Sequence, residues 1–439
     1  MAPSRSSPVT TIAFSKRSRV ALLLAAALVA SLLSWFSIRA ALAAHYAELG
    51  TSDGYRKAVR LEPENPQYWY LLGRDSQFRE SSDIPTAIHS YQKALRLDPY
   101  LTDAWLDLGA ALEAENDIDG ARAAFVQAKA VYPDSAEVAW RYGNFLLRQG
   151  NLTAGSKEVH HAVELDPKRG LEAFLLMRHY KDNVKLIVDQ DLAPVPSMLE
   201  DVAWELTQEG KADDFLTVWS RIVSLHPRLQ ERELRYYVDG LLHLRRFAEA
   251  QKVWAEGVAL MDLPGLQDPP GSLIWDGGFE TDLSNGGFAW RIQKYQPIMV
   301  GLDRQIKHSG TRSLRLDFSK EFGSEFVGVC HDAVVDPITT YEFSAWMRTR
   351  NLSQDGGLFF QLLRLAPNRA QVASTLALGA SNDWTHVTTS FTSSEDLRLL
   401  VVCLARTPDA TPNGAGSTAW IDDVSLVKIS STRTQGRGP

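Results

Sequence analysis

Four prolines, Pro63, Pro99, Pro133 and Pro167, follow one another at intervals of 36, 34 and 34 residues, and each closes the same kind of segment. Ten residues after the first three stand Gly73, Gly109 and Gly143, inside Trp69-Tyr-Leu-Leu-Gly73, Trp105-Leu-Asp-Leu-Gly109 and Trp140-Arg-Tyr-Gly143. Five residues before the last three stand Ala94, Ala128 and Ala162. Between Asp103 and Pro133, Trp105, Leu108, Gly109 and Leu112 fall on one helical face, and Ala121, Phe125 and Ala128 on the next. Proline cannot continue a helix, so each period holds two helices and a stop. Asn116-Asp117-Ile-Asp-Gly120 supplies the turn between them. Gly109 and Ala121 are small where the helices cross, which lets the backbones approach. One such pair cannot bury both of its faces, so the pairs must stack on their neighbours.

A period of 34 residues in this register resembles the tetratricopeptide (TPR) repeat, with Trp69, Gly73, Pro99, Trp105, Gly109, Ala121, Phe125, Ala128, Pro133, Gly143, Ala162 and Pro167 in its structural positions. The resemblance implies an α-solenoid whose groove holds a protein partner. It is clear over residues 64–167 and extends more loosely over 45–264, as five or six helical pairs. Tyr55, Ala58 and Pro63 read as the second helix of a partial repeat. Ala203, Gly210, Phe215, Trp219 and Pro227 fit a degenerate one, and Gly240, Ala250, Trp254 and Pro264 another. Residues 171–196 keep helical composition without the register.

Residues 20–38 carry no charge, and as a helix would span about 28 Å, enough for a bilayer core. Lys16, Arg17 and Arg19 precede the segment and Arg39 alone follows closely, so the positive-inside bias puts residues 1–19 in the cytoplasm and the bulk of the chain outside it. A cleaved signal peptide ending near Ala41-Leu42-Ala43 is the competing reading. The apolar stretch is long for that, which favours a single-pass anchor. A formal charge of −7 gives no basic excess to recruit nucleic acid.

Residues 265–272, rich in proline and glycine, end the helical period and read as a linker. Beyond them, over residues 273–429, the period alternates. Residues 313–318, 341–348, 385–391, 397–404 and 419–427 read as short strands of an all-β sandwich, with residues 430–439 as a disordered tail. Asp276-Gly-Gly-Phe-Glu280, Trp290, His308-Ser-Gly310, Asp383-Trp384 and Trp420-Ile-Asp-Asp-Val-Ser-Leu426 follow in order. That succession resembles the jelly-roll carbohydrate-binding modules of the galactose-binding-like group.

The resemblance implies one structural calcium held by Glu280, by Asp422 or Asp423, and by carbonyls around Thr311 and Arg312. Calcium takes hard oxygen ligands, and an ion there would neutralise carboxylates brought together by the first and last strands. The alternative is that Glu280 pairs with Arg312 or Lys428 at the surface. In residues 341–348 the alternation puts Tyr341, Phe343, Ala345 and Met347 on the apolar face, leaving Glu342, Ser344, Trp346 and Arg348 on the other. An aromatic ring among polar groups suits stacking on a sugar, with Trp290, Tyr295 and Gln361 as further candidates; a Trp346 covered by a loop or packed on the helical domain is the competing reading. Cys330 and Cys403 fall in strands, where a disulfide and two buried thiols are both open readings. Two cysteines cannot build a thiolate zinc site of the usual kind.

Signals for catalysis are weak. Gly50-Thr-Ser-Asp-Gly54 has the spacing of a hydrolase nucleophile elbow but lacks a strand before it, and reads as a helix start capped by Ser52 or Asp53. His160-His161 lies on a second helix without Glu-x-x-His spacing or an acidic partner set, and reads as solvated surface. The expectation is a non-enzymatic, membrane-anchored scaffold of the bacterial cell envelope, facing the periplasm from the inner membrane. It would bind proteins through its repeats and polysaccharide through the sandwich, in polysaccharide assembly or export. A purely protein-binding scaffold and an accessory subunit of a glycan-processing enzyme are the alternatives.

Overall fold

The structure, a computed structural model, describes residues 15–261, 269–292, 298–318, 326–354, 357–365, 370–406 and 416–429. Tyr295, residues 265–268 of the 265–272 linker and the 430–439 tail lie outside the described residues. The chain divides into two compact units, residues 1–180 with 189–193, and residues 181–188 with 194–439.

The first unit is helical. Helix α1 (Lys16–Glu48) is one continuous rod. Its stretch over residues 20–38 is exposed and long and apolar enough to cross a membrane. Its last turns bury Ala43 and pack on α2 (Ser52–Leu61), capped by Thr51, whose hydroxyl accepts from Gly54 N–H. The cap is therefore Thr51 rather than Ser52 or Asp53, and the partial repeat is a full hairpin whose first helix continues the apolar rod. Three more hairpins follow: α3 (Pro66–Phe78) with α4 (Ile84–Leu97), α5 (Thr102–Ala114) with α6 (Ile118–Val131), and α7 (Ala136–Arg148) with α8 (Leu152–Leu165).

The repeated glycines have a definite role. A Cβ at Gly73 would sit 2.6 Å from the Tyr91 ring, one at Gly109 2.9 Å from Phe125, and one at Gly143 3.1 Å from Val159. The small residue of the first helix thus seats a large side chain of the second, which corrects the expectation that Gly109 faces Ala121 for backbone approach. In two of the repeats the tryptophan is tied to the proline that closed the one before: Trp69 Nε1 donates to Pro63 O at 2.8 Å and Trp105 Nε1 to Pro99 O at 2.9 Å. Asp107, only 5% exposed, accepts from Tyr70 Oη (3.1 Å) and from Arg141 (2.9 Å), joining three successive first helices. Past α8 the register fails, and α9 (Gly170–Arg178) and α10 (Val184–Gln190) are short.

The second unit takes in residues 184–188 of α10 and continues with two hairpins, α11 (Pro196–Gln208) with α12 (Ala212–Ser224) and α13 (Glu231–His243) with α14 (Phe247–Leu260). The sandwich follows as β1 (Arg291–Ile292), β2 (Ile298–Asp303), β3 (Ser313–Phe318), β4 (Phe326–Val334), β5 (Thr340–Arg350), β6 (Leu358–Arg364), β7 (Gln371–Ser374), β8 (Asn382–Thr392), β9 (Leu399–Arg406) and β10 (Ser417–Lys428). One antiparallel sheet runs β1-β4-β9-β6-β7 and the other β2-β3-β10-β5-β8. Their facing apolar residues, among them Phe343, Met347, Phe360, Leu404 and Ile421, form one core.

The change from helix to strand lies inside this unit, not at its edge. Asp239 of α13 accepts from Gly287 N–H (2.9 Å) and from Arg291 (2.8 Å), and Trp254 of α14 meets the rings of Trp275 and Phe288. Residues 272–277 run beside the end of β10, with Leu273 N–H donating to Leu426 O and Val424 N–H to Gly277 O. A Cβ at Gly277 would lie 1.9 Å from Val424 O, so this approach admits only glycine.

Candidate functional site

Two neighbouring features on the outer side of the β2-β3-β10-β5-β8 sheet gather most of the sequence-derived candidates. The first is an acidic corner. Strand β10 breaks register between Asp422 and Ser425, and Asp423 takes a left-handed φ of 46°, so consecutive aspartates both present oxygens to the 304–312 turn. Asp422 is fully buried and accepts from His308 N–H (2.8 Å) and Ser309 N–H (3.2 Å). Asp423 accepts from Ser309 Oγ (2.6 Å) and lies 2.6 Å from His308 Nδ1. From the first segment, Glu280 accepts from Thr311 N–H (2.7 Å) and Thr311 Oγ1, while its own carbonyl accepts from Arg312.

The side chains of the three acidic residues border Gly278, where a Cβ would lie 3.7 Å from Glu280 Cγ, 3.9 Å from Asp422 Oδ1 and 4.0 Å from Asp423 Oδ1. Burial pushes the Asp422 carboxyl up to about 6, against the N–H donors of the turn and with the Asp423 charge adding to the rise. Burial also acts on Glu280, but the hydroxyl and N–H of Thr311 outweigh it and hold that carboxyl below its ordinary value. The donor set is chemically suited to a hard cation. As arranged, its oxygens take protein donors, and among the described residues no group of three His, Cys, Asp or Glu side chains is disposed to hold a metal ion. Arg312 pairs with Asp282 (2.9 Å) and Lys428 with Asp336 (3.2 Å), so neither is the side-chain partner of Glu280.

The second feature is aromatic. Alternation along β5 buries Tyr341, Phe343, Ala345 and Met347 and turns Glu342, Ser344, Trp346 and Arg348 outward. Trp346 is half-buried. The His308 ring stacks on it at 3.9 Å and 15°, Trp384 stands edge-on to His308 at 5.6 Å, and His386, opposite Trp346 in register, lies 4.9 Å away. The turn that reaches the aspartates therefore also covers one face of the tryptophan. Arg348 reaches Asp383 (3.6 Å) and the face of Trp420, and Ser344 bonds Ser425 (2.8 Å).

Trp290 does not join this group. It is 2% exposed, stacks on Phe279 at 5.1 Å and donates its N–H to Asp276 O, so its ring is part of the core. Gln361 sits on β6, in the other sheet. Cys330 and Cys403 are directly opposite on β4 and β9 and are joined by a disulfide. His160 and His161 do have an acidic neighbour, Glu164, at 3.4 and 3.6 Å. His308, Trp384 and His386 were absent from the sequence-derived site. His308 and Trp384 lie in recognised motifs, but only the pairing of β5 with β8 and the fold of the 304–312 turn brings them to Trp346.

A family model described as tetratricopeptide repeat matches residues 78–139. No curated protein matches the chain. Among solved structures, YrrB, a TPR protein with an unusual peptide-binding site, is similar at 14% identity over 48% of this chain and 93% of that one, with a TM-score of 0.25. The Family 16 Carbohydrate Binding Module-2 is similar at 19% identity over 35% and 99%, with a TM-score of 0.26. A CBM4 structure is similar at 13% identity over 36% and 99%, with a TM-score of 0.27.

Proposed function

We propose that this protein is a single-pass, membrane-anchored scaffold of the cell envelope, with its bulk outside the cytoplasm. In this reading TPR hairpins hold a protein partner and the sandwich engages polysaccharide. The observation that carries the glycan part is the outward face of β5, where Trp346 stands among Glu342, Ser344 and Arg348 instead of in the core. A sugar ring offers C–H groups to an indole face and hydroxyls to carboxylate and guanidinium groups, which is the mixture this face presents. The exposed apolar length of α1 behind three basic residues supports the anchor, and the Cys330–Cys403 disulfide supports an oxidising compartment. Glu280, Asp422 or Asp423, and the carbonyls around Thr311 and Arg312 are the ligands we assign to one calcium, which would join the first segment of the sandwich to its last strand.

Retention of the detergent-solubilised full chain on immobilised envelope polysaccharide tests the glycan reading. Trp346→Ala should lose most of the retention, and unchanged retention would remove Trp346 from the site. One observation favours a second reading, that the scaffold binds only proteins: His308 already occupies one face of Trp346 at 3.9 Å. In that case no polysaccharide is retained, while co-purification of a protein partner survives Trp346→Ala.

A further inference from the structure

The helices of the first unit alternate in direction, so the connections that leave its hairpins all fall at the same end of the stack: residues 62–65, 98–101, 132–135 and 166–169. That edge is stitched together. Trp69 and Trp105 hold Pro63 O and Pro99 O, the His161 ring lies 3.3 Å from Pro133 O, and Arg169 pairs with Glu137 at 2.6 Å. It is also the end at which α1 enters the stack. Arg39, the first charged residue after the apolar stretch, pairs with Glu62 of the first connection at 3.3 Å, and α1 runs on without a break to bury Ala43 against α2. Tyr100 and Tyr132, on the second and third connections, are 78% and 55% exposed, the two most exposed tyrosines among the described residues.

Resting on the reading of α1 as a membrane span, we infer that this end of the stack lies on the bilayer surface and that Tyr100 and Tyr132 dock it there. Residues 20–38 cross the hydrocarbon core, and Trp35 and Phe36 stand exposed near the C-terminal end of that stretch. The connection at Glu62 is held at the level of Arg39, the residue that follows it. Because α1 is continuous from the span into the first hairpin, the hairpins stand with their internal turns away from the membrane and their connections toward it. A tyrosine ring suits that level: its apolar body meets the boundary of acyl chains and headgroups while its hydroxyl stays hydrated. Glu64 and Asp134 are exposed on the same edge and would be repelled by anionic lipid, so the partner is a zwitterionic phospholipid surface. Docking at both tyrosines as well as at α1 fixes the tilt of the repeat groove to the membrane, which a lone anchor would leave free.

The test uses the full chain in phosphatidylcholine nanodiscs, with a maleimide fluorophore on one introduced cysteine and a lipid bearing a nitroxide on its headgroup as a short-range quencher. Cys330 and Cys403 are bonded to each other and do not react. Ser37→Cys reports on the span, Asp134→Cys on the third connection, and Ser81→Cys, between α3 and α4, on the opposite end of the stack. Quenching at positions 37 and 134 should exceed that at 81 severalfold. Tyr100→Ser combined with Tyr132→Ser should bring position 134 down to the level of 81 without changing the melting temperature, because both side chains are exposed. Should the double variant melt lower, the contrast between 134 and 81 with both tyrosines present decides. Strong quenching at 37 with none in excess at 134 overturns the inference and leaves the anchor standing. Absence of quenching at 37 removes the anchor reading, and this inference with it. Quenching at 134 that survives the loss of both tyrosines overturns their part in docking.

Discussion

The helical repeats and the sandwich solve the same problem of burial with opposite kinds of information. In the repeats the contacts that fix the packing are 16 to 18 residues apart, Gly109 to Phe125 and Gly73 to Tyr91, so the pattern that specifies them can be seen in one short window and then seen again. In the sandwich they are remote. Gly277 meets Val424, Glu280 meets Thr311, and Asp422 meets His308. The difference teaches where tolerance should lie. A repeat packs side chain against side chain, and neighbours can shift; the closure of the sandwich packs backbone against backbone, and they cannot.

Two glycine substitutions set the contrast at its sharpest. Gly277→Ala drives a methyl group into a carbonyl 1.9 Å away and should cost about 3–5 kcal/mol, read as a lowered melting temperature and faster hydrogen exchange along β10. Gly109→Ala meets only the edge of the Phe125 ring at 2.9 Å, and alanine regains up to about 1 kcal/mol of helix propensity. Its net effect should stay within about 1 kcal/mol. If the two variants melt alike, the distinction between backbone and side-chain closure is wrong.

Calcium and Asp107 probe the same comparison through polar groups. If Glu280, Asp422 and Asp423 hold the ion, it binds the folded sandwich and not the separated carboxylates of the unfolded chain. A hundredfold excess over the dissociation constant should then add about 2.7 kcal/mol by mass action. Glu280→Gln should abolish that response, and a calorimetric transition indifferent to calcium in the wild type would sink the assignment. In the repeats, Asp107→Asn keeps shape and removes charge. It should cost roughly 2 kcal/mol by weakening the bond from Arg141, and it should loosen the flanking hairpins together, as hydrogen exchange would report.

Legibility follows the same divide. The helical register could be read because its period is local and repeats. In the sandwich, β3, β5, β8, β9 and β10 were legible, β5 by its alternation and β9, buried almost throughout, as a short apolar run. Strand β4 was read only as a strand at Cys330, without bounds, because His331 and Asp332 are buried alongside its apolar residues, Asp332 paired with Arg291. Burial pulls the pKa of His331 down to about 3, so it serves as a neutral acceptor for Trp275 N–H, and no periodicity announces such a residue. Trp290 was misplaced for a related reason: its partner is the carbonyl of Asp276, a group every residue carries. The acidic corner could be assembled from the order of motifs, but the cover that His308 lays over Trp346 depends on the fold of a turn.

The smallest expected effect concerns Glu200, on α11. Burial raises its carboxyl to about 7, with the charges of Glu233 and Asp201 adding to the rise. A carboxyl in the unfolded chain titrates near 4.3, so the native state binds this proton more tightly. The sign follows from linkage: the native state gains from the protonated group at low pH, and stability is lost as pH rises from about 4.5 through 7, levelling above that. The group is partly exposed, so the loss should be on the order of 1 kcal/mol after solvent screening. Glu200→Gln keeps the shape without the proton equilibrium. It should leave the melting temperature near its wild-type value at pH 4.5, raise it at pH 8, and flatten the profile between. A parallel profile in wild type and variant would mean that the helices of the second unit tolerate a charge at this position as freely as an exposed surface does.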